Sequence, residues 1–379
     1  MRSTIYPSVE AAIQALDPSY PVMCLFPKRI QAQARAFLEG FGARLGGRVL
    51  YAVKCNPHPW VLKALYQAGI HDFDTASLPE IAQVSELLPE AECYFNHPVK
   101  NRAAIDLAYR IYEVRHWVID HENELKKIVE IVGPDQLIQV RLATPEAHAA
   151  FNLSAKFGAD VNEVARLLAL VVKAGCRPAL SFHVGSQCLT PDAYRIALAL
   201  ASEAIDKSGV TVEMINVGGG FPASDGAIQA PPLSAYFDAI ADGIERMELP
   251  GGTQVFCEPG RALVAYGASL IAQVQLRKEG KLYLNDGVYG GLSELKWGNL
   301  VPPVRAIRRT GGFSNAHGAF TMYGPTCDSI DAMTPTFLLP KDIREGDWIE
   351  IGAVGAYSNA IAAPFNGFSL DTYVEISEE

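Results

Sequence analysis

Hydrophobic and polar residues are arranged in two different ways along this chain, and the change falls near residue 261. Between about residues 48 and 260, short β-branched or aromatic runs alternate with longer stretches in which apolar residues recur every three or four positions. This alternation of strands and amphipathic helices is typical of parallel α/β folds. Eight such runs can be counted, at residues 48–54, 72–76, 93–96, 116–120, 137–142, 179–184, 213–219 and 254–258.

The segments between these runs predict helices that end at a glycine, for example residues 57–69 and 160–175. Eight β/α units favour a TIM (β/α)8 barrel over an open doubly wound sheet. Distinctive polar residues and glycine clusters follow the strands directly. In a barrel these residues would meet at the C-terminal rim, where active sites of this fold form.

After Arg261 the pattern changes to that of a domain built from β-strands. The stretch 291–318 is rich in Pro and Gly and is predicted to be an irregular loop. Strands joined by turns are predicted within residues 269–290, 319–324, 347–357 and 372–376.

The chain has 379 residues, more than the roughly 100 to 200 of a usual single domain. We therefore expect two domains. The first is a barrel over residues 27–261. The second is an all-β domain over residues 262–379 that also includes residues 1–26.

Charge, apolar runs and cysteine spacing argue against several kinds of partner and site. The formal net charge is -10 without any Lys/Arg-rich run, which disfavours binding to nucleic acid or anionic membranes. No apolar run approaches the ~20 residues of a membrane span, and no signal-peptide pattern is seen. The seven scattered cysteines and eight histidines lack disulfide-framework or metal-ligand spacing. We expect a cytoplasmic protein without a metal.

Lys54 ends the first predicted strand, where its amine would point into the barrel mouth. A buried amine is driven toward its neutral, nucleophilic form and can form a Schiff base. For an isolated lysine, an ion pair with a carboxylate of the rim is the simpler interpretation. The neighbouring motifs must therefore decide between the two.

A phosphate site is predicted on the same rim. The glycine-rich segment 216–222 follows the seventh strand and the segment 258–261 follows the eighth, where barrels bind phosphate through main-chain N–H groups. A glycine triplet alone is more often a tight turn. Together with Arg261, Ser186 and Lys54 it indicates a phosphorylated aldehyde cofactor.

Two further residues of the rim suit an aromatic cofactor of this kind. Glu258 could keep a pyridine nitrogen protonated, which makes the ring an electron sink when CO2 departs. An ion pair with Arg261 is the alternative role for Glu258. His183 could stack on the ring, and its alternative role is that of a core histidine with satisfied hydrogen bonds.

Nine motifs occur in one order along the chain: YAVKCN, FDTAS, RLAT followed by LSAKFG, SFHVGSQ, GGGFP, EPGR, NDGVYG, GPTCDSID and AYSNAIAAPFNGF. With them the chain resembles the fold-type III pyridoxal-phosphate (PLP) dependent decarboxylases of ornithine, lysine and diaminopimelate, ornithine decarboxylase most of all. The resemblance covers nearly the whole chain. It implies an alanine-racemase-type barrel with a β domain, PLP as cofactor and a head-to-tail homodimer with shared active sites.

The resemblance also assigns roles to single residues in the barrel. Lys54 is expected to carry PLP, Glu258 to pair with its pyridine nitrogen and His183 to stack on its ring. The residues expected to hold the phosphate are Ser186, Gly219, Gly220, Arg261 and Tyr357. Gly260 is expected to contact the cofactor, and Asp74, Glu80 and Arg141 are expected to support the lysine and the cofactor.

In the β domain the resemblance points to Cys327, which is expected to reach the neighbouring subunit's site and protonate the carbanion. A buried hydrophobic thiol is the alternative. Asp286 and Asp328 are expected to receive the distal amine of a diamino acid, because an unpaired charge in a closed site is costly. Tyr289 and Phe365 are expected to contact the substrate as well.

These expectations favour decarboxylation of L-ornithine to putrescine, with L-lysine to cadaverine as the second choice. At the cysteine motif, diaminopimelate decarboxylases have a sequence like CES, whereas this chain has CDS. They also carry an Arg-Pro-x-x-Tyr element that is not found here. An amino-acid racemase and a non-catalytic regulator are the alternatives of a different class. The racemase motifs are not those of this chain, and regulators usually lack residues such as Lys54, Glu258, Arg261 and Cys327.

Overall fold

In a computed structural model of the chain, residues 4–144, 156–298 and 300–378 are described. Residues 153–155 of the LSAKFG motif lie outside the described residues. The strands are β1 Ile5–Tyr6, β2 Val22–Leu25, β3 Arg48–Ala52, β4 Asp72–Thr75, β5 Glu92–Phe95, β6 His116–Ile119, β7 Leu137–Leu142, β8 Arg177–Phe182, β9 Met214–Asn216, β10 Gln254–Cys257, β11 Ala268–Lys278, β12 Lys281–Leu284, β13 Val304–Ile307, β14 His317–Tyr323, β15 Ala332–Pro340, β16 Trp348–Ile351 and β17 Thr372–Ile376. The α-helices are α1 Val9–Leu16, α2 Pro27–Phe37, α3 Ala43–Leu45, α4 Pro59–Gln67, α5 Leu78–Leu87, α6 Arg102–Arg110, α7 Glu122–Val132, α8 Val161–Lys173, α9 Asp192–Ser208, α10 Leu233–Arg246, α11 Arg261–Val264 and α12 Glu294–Trp297.

Strands β3 to β10 form a closed parallel barrel, in which each strand pairs with the next and β10 pairs with β3. The predicted TIM barrel is confirmed, and the eight predicted runs coincide with its strands to within a few residues. Inward-facing side chains fill the barrel, as is usual for this fold. They include the buried cluster of Leu50, Tyr94, Leu137, Ala179, Met214 and Phe256.

Helix ends in the barrel follow from local sequence. Asp160 caps α8 by accepting hydrogen bonds from the main-chain N–H groups of Asn162 and Glu163, both at 2.9 Å. After its last turn, Gly175 adopts a φ of +74°, which glycine reaches without steric cost. The predicted helix end at this glycine is therefore explained by backbone geometry.

The remaining strands form one nine-stranded sheet, in the order β1-β17-β2-β11-β12-β14-β15. Strand β16 pairs with both β11 and β13. Strand β2 precedes the barrel in sequence and lies between β11 and β17, which follow it, so segments from both sides of the barrel belong to this sheet. Its core includes Val22, Cys24, Ile271, Trp348 and Val374.

The prediction that residues 291–318 form only an irregular loop is wrong. This stretch contains α12 and β13, and β13 pairs antiparallel with β16, with Val304 opposite Ile351. The strand has only four residues and follows two prolines, so it carries too few alternating positions for its period to show. The sheet region also includes the helix α1, so it is not composed of strands alone.

The chain divides into two compact units. One consists of Ala34–Pro222 and Ala230–Ala262 and contains the barrel. The other consists of Met1–Gln33, Ala223–Gln229 and Leu263–Glu379 and contains the sheet. Among the described residues, no helix combines the length and apolar character needed to cross a membrane.

Candidate active site

Lys54 lies in a single turn, Val53–Cys55, directly after β3 at the C-terminal end of the barrel. Its Nζ donates a hydrogen bond to Oδ2 of Asp74 across 3.1 Å. Asp74 lies in β4 and is buried, whereas the side chain of Lys54 remains 45% exposed. The ion pair considered as an alternative for Lys54 is thus present. It leaves the amine accessible from the barrel mouth, as a covalent role requires.

Glu80 is positioned beside this pair by the start of α5. Ser77 caps the helix by accepting a hydrogen bond from the N–H of Glu80, and Oε2 of Glu80 accepts one from the N–H of Ala76 at 2.6 Å. Burial raises the pKa of the Glu80 carboxyl, and the nearby charge of Asp74 acts in the same direction. The charge of Lys54 opposes this rise.

His183 follows β8 and is half-buried in the barrel mouth. Its Nδ1 accepts a hydrogen bond from the N–H of Gly185 at 3.0 Å, which places the proton of the neutral ring on Nε2. Burial lowers the pKa of His183 well below its usual value, and the charges of Arg141 and Lys54 lower it further. The ring is therefore neutral at pH 7.

Glu258 directly follows β10. Its Oε1 accepts two hydrogen bonds at 2.6 Å, from the side-chain amides of Asn96 and Asn216. Its enclosure by protein raises the pKa of the carboxyl to about 7, and Asp74 acts in the same direction, whereas Lys54, Asn216 and Arg141 lower it.

The amides around Glu258 were not among the predicted site residues. They belong to Asn96, Gln139 and Asn216, and they are linked to one another by hydrogen bonds of 2.9 Å. The available signal was weak, because Asn96 ends the predicted run 93–96 whereas Asn216 lies inside the predicted run 213–219.

The glycine loop after β9 packs closely against its neighbours. A Cβ on Gly218 would lie 2.0 Å from the carbonyl oxygen of Phe182, and one on Gly219 would lie 2.6 Å from that of Glu258. A Cβ on Gly220 would lie 2.5 Å from the carbonyl oxygen of Gly185, in the loop that carries Ser186. Gly218 and Gly220 also adopt positive φ angles, of +66° and +111°. The predicted phosphate loops after β8 and β9 are therefore adjacent.

The third predicted phosphate segment follows β10. Arg261 begins α11 and is buried. Gly260 packs against Cys55, because a Cβ at this glycine would lie 3.0 Å from that of the cysteine. This contact places the segment 258–261 beside the turn that carries Lys54.

The barrel mouth thus has the groups that PLP requires. Lys54 offers an accessible amine, Glu258 a carboxylate for a ring nitrogen and the glycine loops close main-chain approach for a phosphate. His183 offers a neutral aromatic ring. When bound, PLP supplies a ring that takes up the electron pair left behind by departing CO2.

A second group of predicted residues comes together in the sheet unit around Cys327. Cys327 is exposed, whereas the other six cysteines are buried. Its main-chain N–H and its thiol both lie 3.2 Å from Oδ1 of Asn366. The alternative of a buried hydrophobic thiol does not describe Cys327 in this chain.

Asp328 and Tyr289 lie in the same group, since the Tyr289 hydroxyl donates a hydrogen bond of 2.5 Å to Oδ2 of Asp328. The N–H of Ile330 donates to Oδ1 at 3.0 Å. These bonds, from Ile330 first and Tyr289 second, lower the pKa of the Asp328 carboxyl. The ring of Tyr289 also packs 4.7 Å from that of Phe365.

Asp286 has different surroundings. Its carboxylate is buried and accepts a hydrogen bond of 2.9 Å from the N–H of Gly291, within its own turn. Burial raises the pKa of Asp286 to about 7. The carboxylate serves the turn, and this geometry lends no support to a role as amine receiver. Tyr357, expected at the phosphate, has a φ of +54°, and its carbonyl accepts a hydrogen bond from Ser293.

Asp331, which sequence analysis did not identify, joins the two loops of this group. Its Oδ1 accepts a hydrogen bond from the N–H of Val288 at 2.8 Å, and its Oδ2 accepts bonds from the N–H and hydroxyl of Thr326. A Cβ on Gly287 or Gly324 would lie 2.1 Å from this carboxylate. Both loops therefore need glycine to close around Asp331.

The chain is similar in sequence to known proteins of one family. Residues 27–265 match the model of the "Pyridoxal-dependent decarboxylase, pyridoxal binding domain". The chain is 33% identical over 331 residues to the lysine/ornithine decarboxylase of Selenomonas ruminantium, a match that spans 85% of this chain and 81% of that protein.

Solved structures agree with this match. The arginine decarboxylase of Paramecium bursaria Chlorella virus, solved with agmatine, superposes with a TM-score of 0.87 at 26% identity, covering 97% of this chain and 99% of that one. A variant of SrLDC in complex with PLP superposes with a TM-score of 0.86 at 28% identity, covering 99% and 96%. The chain belongs to the fold-type III PLP-dependent amino-acid decarboxylases, the family that includes ornithine and lysine decarboxylases.

Proposed function

We propose that this enzyme decarboxylates a small basic L-amino acid, with L-ornithine as the preferred substrate and L-lysine as the second. In this reaction the bond between the α-carbon and the carboxylate breaks, CO2 leaves, and the α-carbon takes up a proton. The products are putrescine from ornithine and cadaverine from lysine. The similarity to lysine/ornithine decarboxylases supports this choice of substrate class.

The observation that carries the proposal is the carboxylate of Asp328. It is held by Tyr289 and by the main chain of Ile330, and its pKa is lowered, so it stays ionised across the physiological range. A fixed carboxylate beside Cys327 suits the distal ammonium group of a diamino acid. We assign this role to Asp328 before Asp286, because Asp286 is buried in its own turn.

We further propose that the enzyme works as a head-to-tail homodimer, in which Cys327 of one subunit completes the site around Lys54 of the other. The segment beside Cys327 exposes large apolar side chains, which is typical of a surface that another protein covers. Ile361 is 52% exposed, and Phe365 and Phe368 are each 40% exposed. Cys327 would then supply the proton to the α-carbon.

In the barrel, we assign Lys54 to covalent attachment of PLP and Asp74 to holding its amine. Glu258 would pair with the ring nitrogen, and His183 would pack on the ring face. The phosphate would be bound by Ser186, Gly219, Gly220, Arg261 and Tyr357, with Gly260, Arg141 and Glu80 supporting the site.

The test is to incubate the PLP-loaded protein with L-ornithine, L-lysine, L-arginine and meso-diaminopimelate, and to measure CO2 and the amine formed from each. Ornithine or lysine should react best. Asp328→Asn should raise the KM for that substrate by roughly 10-fold or more, because a charge-assisted contact is lost. Glu345→Gln, which removes an exposed charge from the same unit, should leave the KM unchanged.

Two outcomes would contradict the proposal. Activity on diaminopimelate alone would reject the substrate and the role of Asp328, while the family and cofactor would stand. Absence of CO2 from all four amino acids, with PLP bound, would reject decarboxylation of a basic amino acid.

A further inference from the structure

Glu258 belongs to a closed set of side chains inside the barrel. Its Oε1 accepts hydrogen bonds from Nδ2 of Asn96 and Nδ2 of Asn216, each at 2.6 Å. No residue that the structure describes donates a hydrogen bond to its Oε2. Oε1 therefore accepts two hydrogen bonds from amides, whereas Oε2 can accept one from a further donor.

Gln139, in β7, links the two asparagines. Its Nε2 donates to Oδ1 of Asn96 and its Oε1 accepts from Nδ2 of Asn216, both at 2.9 Å. Gln139 and Asn216 are both completely buried. Leaving a buried amide unpaired would be costly, so the four side chains satisfy one another.

One main-chain group settles the orientation of all three amides. The nitrogen and oxygen of an amide side chain are nearly indistinguishable in shape, so only their partners can decide the direction. The N–H of Gly218 donates to Oδ1 of Asn216 at 3.0 Å, and a main-chain N–H can only donate. Nδ2 of Asn216 must then face Gln139 and Glu258.

The orientation of Asn216 determines the orientations of the other two amides. The oxygen of Gln139 must face Asn216, so its nitrogen faces Oδ1 of Asn96, and the nitrogen of Asn96 is left to face Glu258. Glu258 thus accepts hydrogen bonds from two amide N–H groups, and no amide oxygen of this set faces it. Donors of this kind favour an ionised carboxylate and oppose the effect of burial.

We propose that Asn96, Gln139 and Asn216 are positioning residues that fix Glu258, with Oε1 saturated by amides and Oε2 directed at the ring nitrogen of PLP. The anchor of the set, Gly218, lies in the glycine loop assigned to the phosphate. The same hydrogen bonds therefore connect the two ends of the cofactor site. The inference rests on the proposed role of Glu258 as the partner of that nitrogen.

A purely structural role for these amides leads to a different expectation. If they only filled the barrel, substitutions would lower the thermal midpoint and leave the ring nitrogen unaffected. If they position Glu258, loss of an amide donor makes the carboxylate a stronger base. The shared proton then moves away from the ring nitrogen toward Glu258.

The experiment loads the full-length enzyme with PLP labelled with 15N at the ring nitrogen and records its NMR signal across pH. Asn216→Leu removes one donor inside the barrel, and Asn96→Ala removes the other at a half-buried position where folding is less at risk. Gln136→Met is the matched control. Gln136 is a buried amide of the same unit that accepts a hydrogen bond from Trp117 and does not contact Glu258.

In Asn216→Leu and Asn96→Ala the 15N signal should move toward that of an unprotonated pyridine, and PLP should bind about 10-fold more weakly. Gln139→Met should shift the signal in the same direction by less, because it acts through the asparagines. Gln136→Met should match the wild type. Unchanged signals in both asparagine variants, with PLP bound, would overturn the inference.

Glu258→Gln separates this inference from the proposed function. If the wild-type signal already equals that of Glu258→Gln, Glu258 is not the partner of the ring nitrogen and the inference fails with that assignment. If the signals respond as expected but no basic amino acid releases CO2, the proposed reaction fails and the inference stands.

Discussion

The thiol and the main-chain N–H of Cys327 share one acceptor, Oδ1 of Asn366, each across 3.2 Å. Because the main-chain N–H can only donate, Oδ1 and not Nδ2 faces the cysteine. Asn366 itself adopts a φ of +54°, in a left-handed region that asparagine tolerates better than most residues. The turn at Asn366 therefore sets the direction of the exposed thiol.

Asn366→Ala should free this thiol. Without its acceptor the thiol of Cys327 is no longer held in a hydrogen bond, so we expect iodoacetamide to alkylate it several-fold faster than in the wild type. Cys327→Ser identifies the labelled residue, and the other six cysteines are buried. Asn315→Ala, at an exposed position of the same unit, is the control. Equal alkylation rates in Asn366→Ala and wild type would show that Asn366 does not hold the thiol.

Lys54→Ala should abolish the visible absorbance that PLP acquires on covalent attachment to a lysine, and with it the activity. The exposed Lys63 on α4 provides the control, since Lys63→Ala should keep both. A Lys54→Ala protein that retained this absorbance would remove Lys54 from its assigned role.

Mixing inactive subunits tests the proposed shared site. In the proposed dimer, a heterodimer of Lys54→Ala and Cys327→Ala subunits would have one intact site and one doubly altered site. A 1:1 mixture with free exchange should recover up to about one quarter of wild-type activity. Subunit exchange is followed by mass-tagged chains. Exchange without any recovery would place the two residues in a site formed by a single chain, or in no common site.

Asp286 should make stability depend on pH. Burial raises its pKa from 3.8 to about 7, so between pH 4 and 7 the folded state binds more protons than the unfolded state. The free energy of unfolding from this group therefore falls as pH rises through that window.

Asp286→Asn keeps an oxygen for the N–H of Gly291 but cannot ionise. Relative to the wild type, its thermal midpoint should rise by roughly 2–4 °C at pH 8, and this gain should vanish toward pH 4. Glu345→Gln should show no such trend. A midpoint difference that does not vary with pH would mean that Asp286 is not protonated preferentially in the folded state.

The barrel could be predicted from sequence because its strands are buried on both faces and read as continuous apolar runs. The strands of the sheet unit were harder to predict from sequence. Strand β13 has four residues, and its pairing with β16 depends on contacts more than 40 positions away. Short strands of this kind are formed by their neighbours and leave little pattern of their own.

Some site residues could likewise be predicted from sequence and others could not. The position of Lys54 followed from its place at a strand end, whereas the amide set of Asn96, Gln139 and Asn216 did not. Their hydrogen bonds join strands 43 and 77 residues apart, and one reaches Glu258 from 162 residues away. The inward orientation of Asp286 was equally invisible, because a motif identifies a residue and not the direction of its side chain.

Because β2 lies between β11 and β17, it can pair only late during synthesis of the chain. The ribosome makes β2 before the whole barrel, and its two partner strands only afterwards. At about 5–20 residues per second this fully buried strand waits, unpaired on both edges, for tens of seconds. The barrel can close during that interval, whereas β2 is paired on both edges only after β17 has left the ribosome. Premature termination should therefore yield a folded barrel with an exposed, aggregation-prone N-terminal strand.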